Sequence, residues 1–155
     1  MSFEKKVWDV NVFAIFFVED HPGHIYVKNI IERGLLGDYI PIVLDILPIR
    51  AYWIMERKWK INKKAAMDAI KHFLLHYKIP RFVRIKPSMI VKSFEFARKL
   101  NHDVYDCLYL AVAMQYNASA IITTDTDFEK LCKQIGLKYE NPVPIDVLKQ
   151  FKSYK

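Results

Sequence analysis

The chain has few of the residues that mark disulfide-bonded, fibrous or membrane-spanning proteins. It contains two cysteines, four glycines and seven prolines in 155 residues. Two cysteines are too few for a disulfide framework, so Cys107 and Cys132 are predicted to be reduced thiols in a cytoplasmic protein. The apolar run from Val10 to Val18 is followed by two acids, and it is too short to cross a bilayer. Residues 1–6 lack the length and cleavage site of a secretory signal.

Acidic residues are outnumbered by basic ones. The 24 basic and 17 acidic side chains give a net charge of +7 and a pI near 9.3. A positive protein attracts polyanions, so nucleic acid is the first partner to consider. Apolar residues make up 52% of the chain, which is enough for one core, and no repeat or linker divides the sequence. We therefore predict a single domain over residues 1–155.

Strand-like apolar segments alternate with helical patterns along the whole chain. The strand-like segments are Val7–Phe17, Asp38–Val43 leading into Leu44–Pro48, Phe82–Lys86, Ala120–Thr124 and Leu137–Val143. Helical patterns cover His24–Arg33, Ile49–Trp59, Lys63–Tyr77, Met89–Leu100, a buried helix from Tyr105, and Phe128–Ile135. Gly34 is predicted to end the first helix. This alternation predicts an α/β fold with a mainly parallel sheet.

Four acids interrupt or border the apolar runs. Asp9 is predicted to lie on the first strand, on the same side as Asn11, which either joins a site or caps a following helical turn. Asp45 precedes a helix, Asp106 lies near the start of the buried helix, and Asp125 follows a buried strand. An ionised carboxylate is costly to bury unless it is paired or bound to a metal. These four acids are therefore the candidate functional residues.

The predicted topology allows the four acids to meet. In an open parallel sheet, ligands bind outside the carboxyl ends of the strands. Four carboxylates at one place repel one another unless cations are present. Oxygen ligands without histidine or cysteine suit Mg²⁺ or Mn²⁺. An acidic two-cation site on a basic protein suits hydrolysis of phosphodiester bonds.

Four segments of the sequence together resemble the PIN-domain family. They are Asp9–Phe13, Val43–Asp45, Asp106–Ala113 and Ile122–Phe128. The acids of the last two segments are 19 residues apart, and these two segments are the most specific part of the resemblance. The resemblance covers nearly the whole chain.

The resemblance implies a three-layer α/β/α domain with a mainly parallel central sheet of about five strands. It further implies an RNA-cleaving enzyme that uses Mg²⁺ or Mn²⁺, similar to VapC-type toxins, with an antitoxin partner and a homodimeric state. By the same resemblance Asp9, Asp45, Asp106 and Asp125 are the catalytic, metal-binding acids. Asp127 would be a further acid at the metal or a cap of the last helix. A hydroxyl of Thr123 or Thr124 would bond a ligand carboxylate.

One position departs from the family pattern. The second acid is usually glutamate in this family, whereas this chain has the shorter Asp45. Either the helix begins closer to the site, or a water bridges Asp45 to the metal, or another residue is the ligand. Glu56 is the nearest downstream glutamate, but it lies about three turns further along the same predicted helix.

Other functions remain open at this stage. The run Val43–Pro48 and the pair Lys86–Pro87 resemble a phosphoacceptor receiver domain in which Asp45 is phosphorylated. Against that interpretation, a receiver has paired acids after its first strand, where this chain has Val10. A PIN-like protein that processes RNA, or that binds RNA without cutting it, is the other alternative.

Overall fold

Five parallel strands form the centre of the structure, which is a computed structural model describing residues 3–154. The strands are β1 (Lys5–Trp8), β2 (Ile40–Leu44), β3 (Arg81–Val83), β4 (Ala120–Ile122) and β5 (Lys138–Glu140). Their order across the sheet is β3-β2-β1-β4-β5, and every neighbouring pair is parallel. The central strand β1 therefore lies between β2 and β4.

Helices connect the strands and cover both faces of the sheet. They are α1 (Val10–Phe16), α2 (His24–Leu35), α3 (Leu47–Trp53), α4 (Lys63–His76), α5 (Pro87–Leu100), α6 (Val104–Gln115), α7 (Asp127–Gln134) and α8 (Ile145–Leu148). Since crossovers between parallel strands are right-handed, α1–α4 lie on one face and α5–α7 on the other. The predicted three-layer α/β/α fold with about five parallel strands is confirmed. No helix within residues 3–154 is long and apolar enough to cross a membrane.

The helix α6 contains a long run of buried residues. All seven residues from Cys107 to Ala113 are buried, which agrees with the apolar pattern on every side of this segment. It packs against α5 and against the two strands β1 and β4. This position places Asp106, in its first turn, beside the carboxyl ends of the central strands.

The strand order excludes the receiver-domain alternative. Receiver domains have the flavodoxin-like order 2-1-3-4-5, whereas this sheet has the order 3-2-1-4-5. In addition, two strands and α6 follow Lys86 in the topology of this sheet. Asp45 is therefore not the phosphorylated aspartate of a receiver.

The boundary between β1 and α1 corrects the prediction for Asp9 and Asn11. The strand ends at Trp8, and Asp9 is the residue that caps α1, its side chain accepting the backbone N–H of Asn11 at 3.3 Å. The apolar run continues past the strand because α1 is itself buried. Periodicity alone does not separate a strand from a buried helix in such a run.

Two further boundaries differ from the predictions. The helix α2 continues through Gly34 and ends at Leu35. Gly34 is instead a close-packing position, since a Cβ there would lie 2.7 Å from the ring and hydroxyl of Tyr39. The predicted helix Ile49–Trp59 begins at Leu47, and its α-helical part is followed by a π-helical segment, Ile54–Lys58.

Candidate functional site

The carboxyl edge of the sheet brings three of the predicted acids to one side of the molecule. Asp9 directly follows β1, Asp45 directly follows β2, and Asp125 follows β4 by three residues. The backbone N–H of Asp9 donates to the carbonyl of Ile122 at 3.0 Å, and that of Asp45 donates to the carbonyl of Val83 at 2.9 Å. Both acids are therefore held by hydrogen bonds that continue the strand ladders by one residue.

Thr123 links the acids of β1 and β4. Its buried hydroxyl donates a hydrogen bond to Oδ2 of Asp9 and accepts the backbone N–H of Asp125 at 2.9 Å. Oδ1 of Asp125 in turn accepts the backbone N–H of Asp127 at 2.9 Å. Of the two threonines suggested by the sequence, Thr123 is the one that bonds a candidate ligand carboxylate.

Asp106 is held in the first turn of α6 by its neighbours in the α5–α6 turn. Its backbone N–H donates to Oδ2 of Asp103 at 3.1 Å, and its own Oδ2 lies 2.9 Å from Nε2 of His102. The carboxylate is only partly exposed, with 23% of its side-chain surface accessible. His102 is not among the candidate residues predicted from the sequence, because it lies in the turn before α6, where helical spacing does not apply.

The charges of Asp125 and Asp106 act on the buried carboxylate of Asp9. Its pKa is raised to about 6, chiefly by burial, with the charges of Asp125 and Asp106 adding to the shift and the hydrogen bonds from Thr123 and Asn11 opposing it. Burial also raises the pKa of Asp106, with Asp125 adding to this effect and His102 opposing it. The structure therefore brings these three acids together.

Asp45 and Asp127 lie at the rim of this cluster. Both side chains are exposed, and neither is among the main groups that shift the pKa of Asp9 or Asp106. Glu56, the other candidate for the second acid, lies in the π-helical segment and contacts Lys63 at 4.0 Å and Arg57 at 3.6 Å. Asp45 therefore remains the better placed of the two residues.

Two tyrosines and an arginine lie beside the acids and were not found from the sequence. The Tyr109 hydroxyl accepts the backbone N–H of Val10 at 3.1 Å and donates to the Tyr105 hydroxyl at 3.1 Å. The guanidinium of Arg50 lies 4.4 Å from the centre of the Tyr105 ring, within the range of a cation–π interaction. These contacts join α1, α3 and α6 around the site.

The donor chemistry of the acid cluster fits a hard divalent cation. Asp9, Asp106 and Asp125 offer carboxylate oxygens, which Mg²⁺ and Mn²⁺ prefer. A cation there would offset the repulsion from Asp125 and Asp106, which adds to the effect of burial on the pKa of Asp9. Within residues 3–154 no three histidine, cysteine, aspartate or glutamate side chains already form a ligand set for one ion. Binding a cation therefore requires the carboxylates to turn toward it.

The family is established by comparison with known domains. The PIN domain matches residues 6–134, a span that includes all five predicted acids. This chain belongs to the PIN-domain family. No sequence among the curated proteins matches it.

Solved structures of toxins share the fold at low sequence identity. VapC20 of Mycobacterium tuberculosis, described as a sarcin–ricin loop cleaving toxin, is similar with a TM-score of 0.65 and 13% identity, over 81% of this chain and 94% of that one. VapBC2 of Rickettsia felis, bound to a promoter DNA fragment, is similar with a TM-score of 0.65 and 15% identity, over 88% of this chain and 98% of that one. A toxin–antitoxin complex of Klebsiella pneumoniae is similar with a TM-score of 0.61 and 15% identity, over 90% of this chain and 99% of that one.

Proposed function

We propose that this protein is a PIN-type endoribonuclease that depends on Mg²⁺ or Mn²⁺ and acts as the toxin of a toxin–antitoxin pair. The observation that carries the proposal is the cluster of Asp9, Asp106 and Asp125 at the carboxyl edge of a PIN-domain sheet, with Thr123 joining two of them. A carboxylate whose pKa is raised by burial and by neighbouring acids at such an edge is typical of a functional site.

Each acid has a distinct role in the proposal. Asp9, Asp106 and Asp125 bind the cation directly, and Asp45 completes the site from the rim and helps to hold the attacking water. Asp127, whose backbone N–H already orients Asp125, is the fifth acid at the metal. When bound, the cation supplies a nucleophilic hydroxide and stabilises the charge on the leaving oxygen. Thr123 and His102 orient the carboxylates of Asp9 and Asp106.

The charge and the comparisons support the choice of RNA and of a protein partner. The net charge of +7 attracts a polyanion such as RNA to the protein, even though the site itself is acidic. One similar structure is of a toxin that cleaves an RNA loop, and two others contain toxin–antitoxin complexes. We extend both properties to this chain, together with a homodimeric state and, from its two buried, unpaired cysteines, a location in the cytoplasm.

A second candidate function is RNA processing or RNA binding without cleavage. The observation that favours it is Asp45, which replaces the longer glutamate of the family and lies exposed at the rim. If this residue does not reach the metal or its water, RNA binds but the bond is not cut. Cleavage assays separate the nuclease from a protein that binds RNA without cutting it.

The direct test is cleavage of a pool of structured and single-stranded RNA by purified protein without an antitoxin. The assay compares Mn²⁺, Mg²⁺ and a chelator for the wild type, for Asp106→Asn and for Asp146→Asn, an exposed acid at the start of α8. We expect metal-dependent cleavage by the wild type and by Asp146→Asn, and none by Asp106→Asn. Folded wild-type protein that binds RNA but never cuts it would support the second candidate instead.

A further inference from the structure

A polar pocket lies beside the acid cluster and shares His102 and Asp127 with the proposed metal site, while its other lining residues have no part in that site. Its volume is about 330 Å³, and it is formed between the α5–α6 turn and α7. The polar side chains that line it are Asn101, His102, Thr126, Asp127, Lys130 and Gln134. The volume is at the lower end of the range for pockets that hold small organic molecules.

The pocket meets the acid cluster at two points. On one wall, Nε2 of His102 lies 2.9 Å from Oδ2 of Asp106. On the other, the backbone N–H of Asp127 donates to Oδ1 of Asp125 at 2.9 Å. A molecule in the pocket is therefore separated from two of the proposed ligand acids by single residues.

The walls of the pocket are fixed by the backbone. Asn101 adopts the left-handed conformation (φ 52°) that ends α5, and the backbone N–H of His102 donates to the carbonyl of Ala97 at 3.1 Å. Asparagine is one of the few residues that adopt this conformation at low cost. The opposite wall is the eight-residue helix α7, whose start is held by Asp125. The pocket is thus formed before any ligand binds.

The side chains of the pocket suit a nucleotide. Lys130 is exposed, and no carboxylate within residues 3–154 forms an ion pair with it, so its ammonium group can contact a phosphate. The amides of Asn101 and Gln134 both donate and accept hydrogen bonds, as base edges do.

We propose that this pocket binds one nucleotide of the RNA strand, adjacent to the phosphodiester that the acids cleave. Lys130 contacts the phosphate of this nucleotide, and Asn101 and Gln134 contact its base. The inference rests on the proposed function, and it makes α7 and the α5–α6 turn a determinant of which RNA sequence is bound.

The first test measures binding without cleavage. Wild-type protein is kept in chelator, and its affinity for a 2′-O-methyl RNA oligonucleotide is measured by fluorescence anisotropy. We expect Lys130→Gln and Gln134→Ala each to weaken binding about tenfold, the loss of one base or phosphate contact. Lys133→Gln is the matched control, because Lys133 is exposed on the same helix but does not line the pocket. Its effect should stay below about twofold.

The second test locates the bound nucleotide. Oligonucleotides that each carry one abasic site are compared for wild type and Gln134→Ala. We expect the affinity of the wild type to fall most when the abasic site is at one particular position of the oligonucleotide. For Gln134→Ala, an abasic site at that position should have no effect, while abasic sites elsewhere should act as they do for the wild type. All variants change exposed side chains, and circular dichroism is used to check that each is folded before its affinity is compared.

The outcomes separate this inference from the proposed nuclease function. If RNA is cut but Lys130→Gln and Gln134→Ala behave like Lys133→Gln, the nucleotide pocket is wrong and the nuclease function stands. If the position-specific abasic effect appears but RNA is never cut, the pocket stands and the nuclease function is wrong. If abasic sites weaken binding equally in wild type and Gln134→Ala at every position, the pocket assignment is overturned.

Discussion

Asp9 shows a conflict between stability and function at a single residue. Its carboxylate is 3% exposed, and burial together with two neighbouring acids raises its pKa from 3.8 to about 6. A group whose folded pKa is raised lowers the stability of the native state above that pKa, and this loss disappears as the pH falls below the unfolded value. In the absence of a cation, the ionised form of Asp9 is thus unfavourable for folding.

The prediction is that Asp9→Asn stabilises the metal-free protein and abolishes its activity. The amide oxygen still accepts the backbone N–H of Asn11, and the amide nitrogen, in place of Oδ2, can donate to the Thr123 hydroxyl, while the buried charge is gone. A pKa shift of this size corresponds to at most about 3 kcal/mol, and we expect a gain of about 1–2 kcal/mol in the free energy of unfolding. Urea denaturation at neutral pH in chelator measures it. A loss of stability in Asp9→Asn, with Asp146→Asn unchanged, would contradict this account.

The three acids of the cluster stand out in the sequence, but the residues that contact them do not. Asp9, Asp106 and Asp125 stand out because each borders an apolar run, where a carboxylate needs a reason to be present. His102 and Arg50 carry no such contrast. Their contacts with Asp106 and Tyr105 depend on a turn and on how α3 packs, which residue patterns do not specify.

At the scale of elements, the helix α2 packs closely against Tyr39, which precedes β2. Tyr39 is buried, and its hydroxyl accepts the indole N–H of Trp8 at 3.0 Å and donates to the carbonyl of Ile30 at 2.8 Å. Gly34 lies directly against this ring. Because both hydrogen bonds hold the tyrosine in place, the ring has little freedom to move away from a larger residue.

We predict that Gly34→Ala destabilises the protein even though alanine is the better helix former. The helix preference favours alanine by about 1 kcal/mol, but the new Cβ would lie 2.7 Å from Tyr39 and 3.0 Å from Pro41. Overpacking of this kind costs about 1–3 kcal/mol, so we expect a net loss of about 1–2 kcal/mol in chemical denaturation. Asn29→Ala, at an exposed position of α2, is the control and should be neutral or stabilising. A stabilised Gly34→Ala variant would show that Tyr39 moves freely.

The C-terminal 3₁₀ segment, Lys149–Ser153, packs on a buried histidine. The ring of His21 lies 4.6 Å from the ring centre of Phe151, 4.6 Å from that of Tyr154 and 4.8 Å from that of Trp59. Its Nδ1 accepts the backbone N–H of Gly23 at 3.0 Å, which requires the neutral form of that nitrogen. Burial lowers the pKa of His21 to about 4, with Asp20 opposing and His24 adding to the shift.

The expected consequence is a loss of stability in mild acid. Because the folded pKa lies below the unfolded value of 6.5, the contribution of His21 is complete above that value and is lost as the pH falls toward 4. We expect a loss of about 1–2 kcal/mol from this group. Over part of this range the protonation of Asp9 raises the stability as the pH falls. The wild type is therefore compared with His21→Phe, which contains the same Asp9 and keeps an aromatic ring at position 21. Urea midpoints from neutral to acidic pH should fall more steeply for wild type, and equal slopes would refute the assignment.

Element boundaries were the least predictable part of the fold. The buried helices and the alternation of strands and helices followed from apolar periodicity. The end of β1 did not, because α1 is buried at Val10 and from Val12 to Ile15 and so continues the apolar run of the strand. The capping of α1 by Asp9 is visible only once the helix is known to begin there.

At the scale of the whole molecule, the sheet order determines the site. An α/β fold was evident from the sequence, but the order 3-2-1-4-5 depends on which strands pair, and no local pattern specifies this. The similarity of four separated segments to the PIN-domain family supplied the missing information. Because every strand is parallel, Asp9, Asp45 and Asp125 lie at the same edge in any order, but the position of β1 between β2 and β4 makes them neighbours there.

The net charge of the molecule leads to a prediction for RNA binding. With 24 basic side chains against 17 acidic ones, much of the affinity should come from release of counterions by RNA phosphates. We expect affinity for uncleavable RNA in chelator to fall at least tenfold between about 50 and about 200 mM salt. Affinity that does not change with salt would show that the basic surface is not the binding surface.

The proposed metal site of Asp9, Asp106 and Asp125 is tested most directly by measuring Mn²⁺ binding with electron paramagnetic resonance. The wild type, Asp106→Asn and Asp146→Asn are titrated at neutral pH without RNA, so the result does not depend on finding the right substrate. We predict that the wild type and Asp146→Asn bind Mn²⁺ saturably, that Mg²⁺ competes with Mn²⁺ for the site, and that Asp106→Asn loses the site. Folded wild-type protein that binds no Mn²⁺, or an Asp106→Asn variant that binds it equally well, would contradict the assignment of these acids as a metal site.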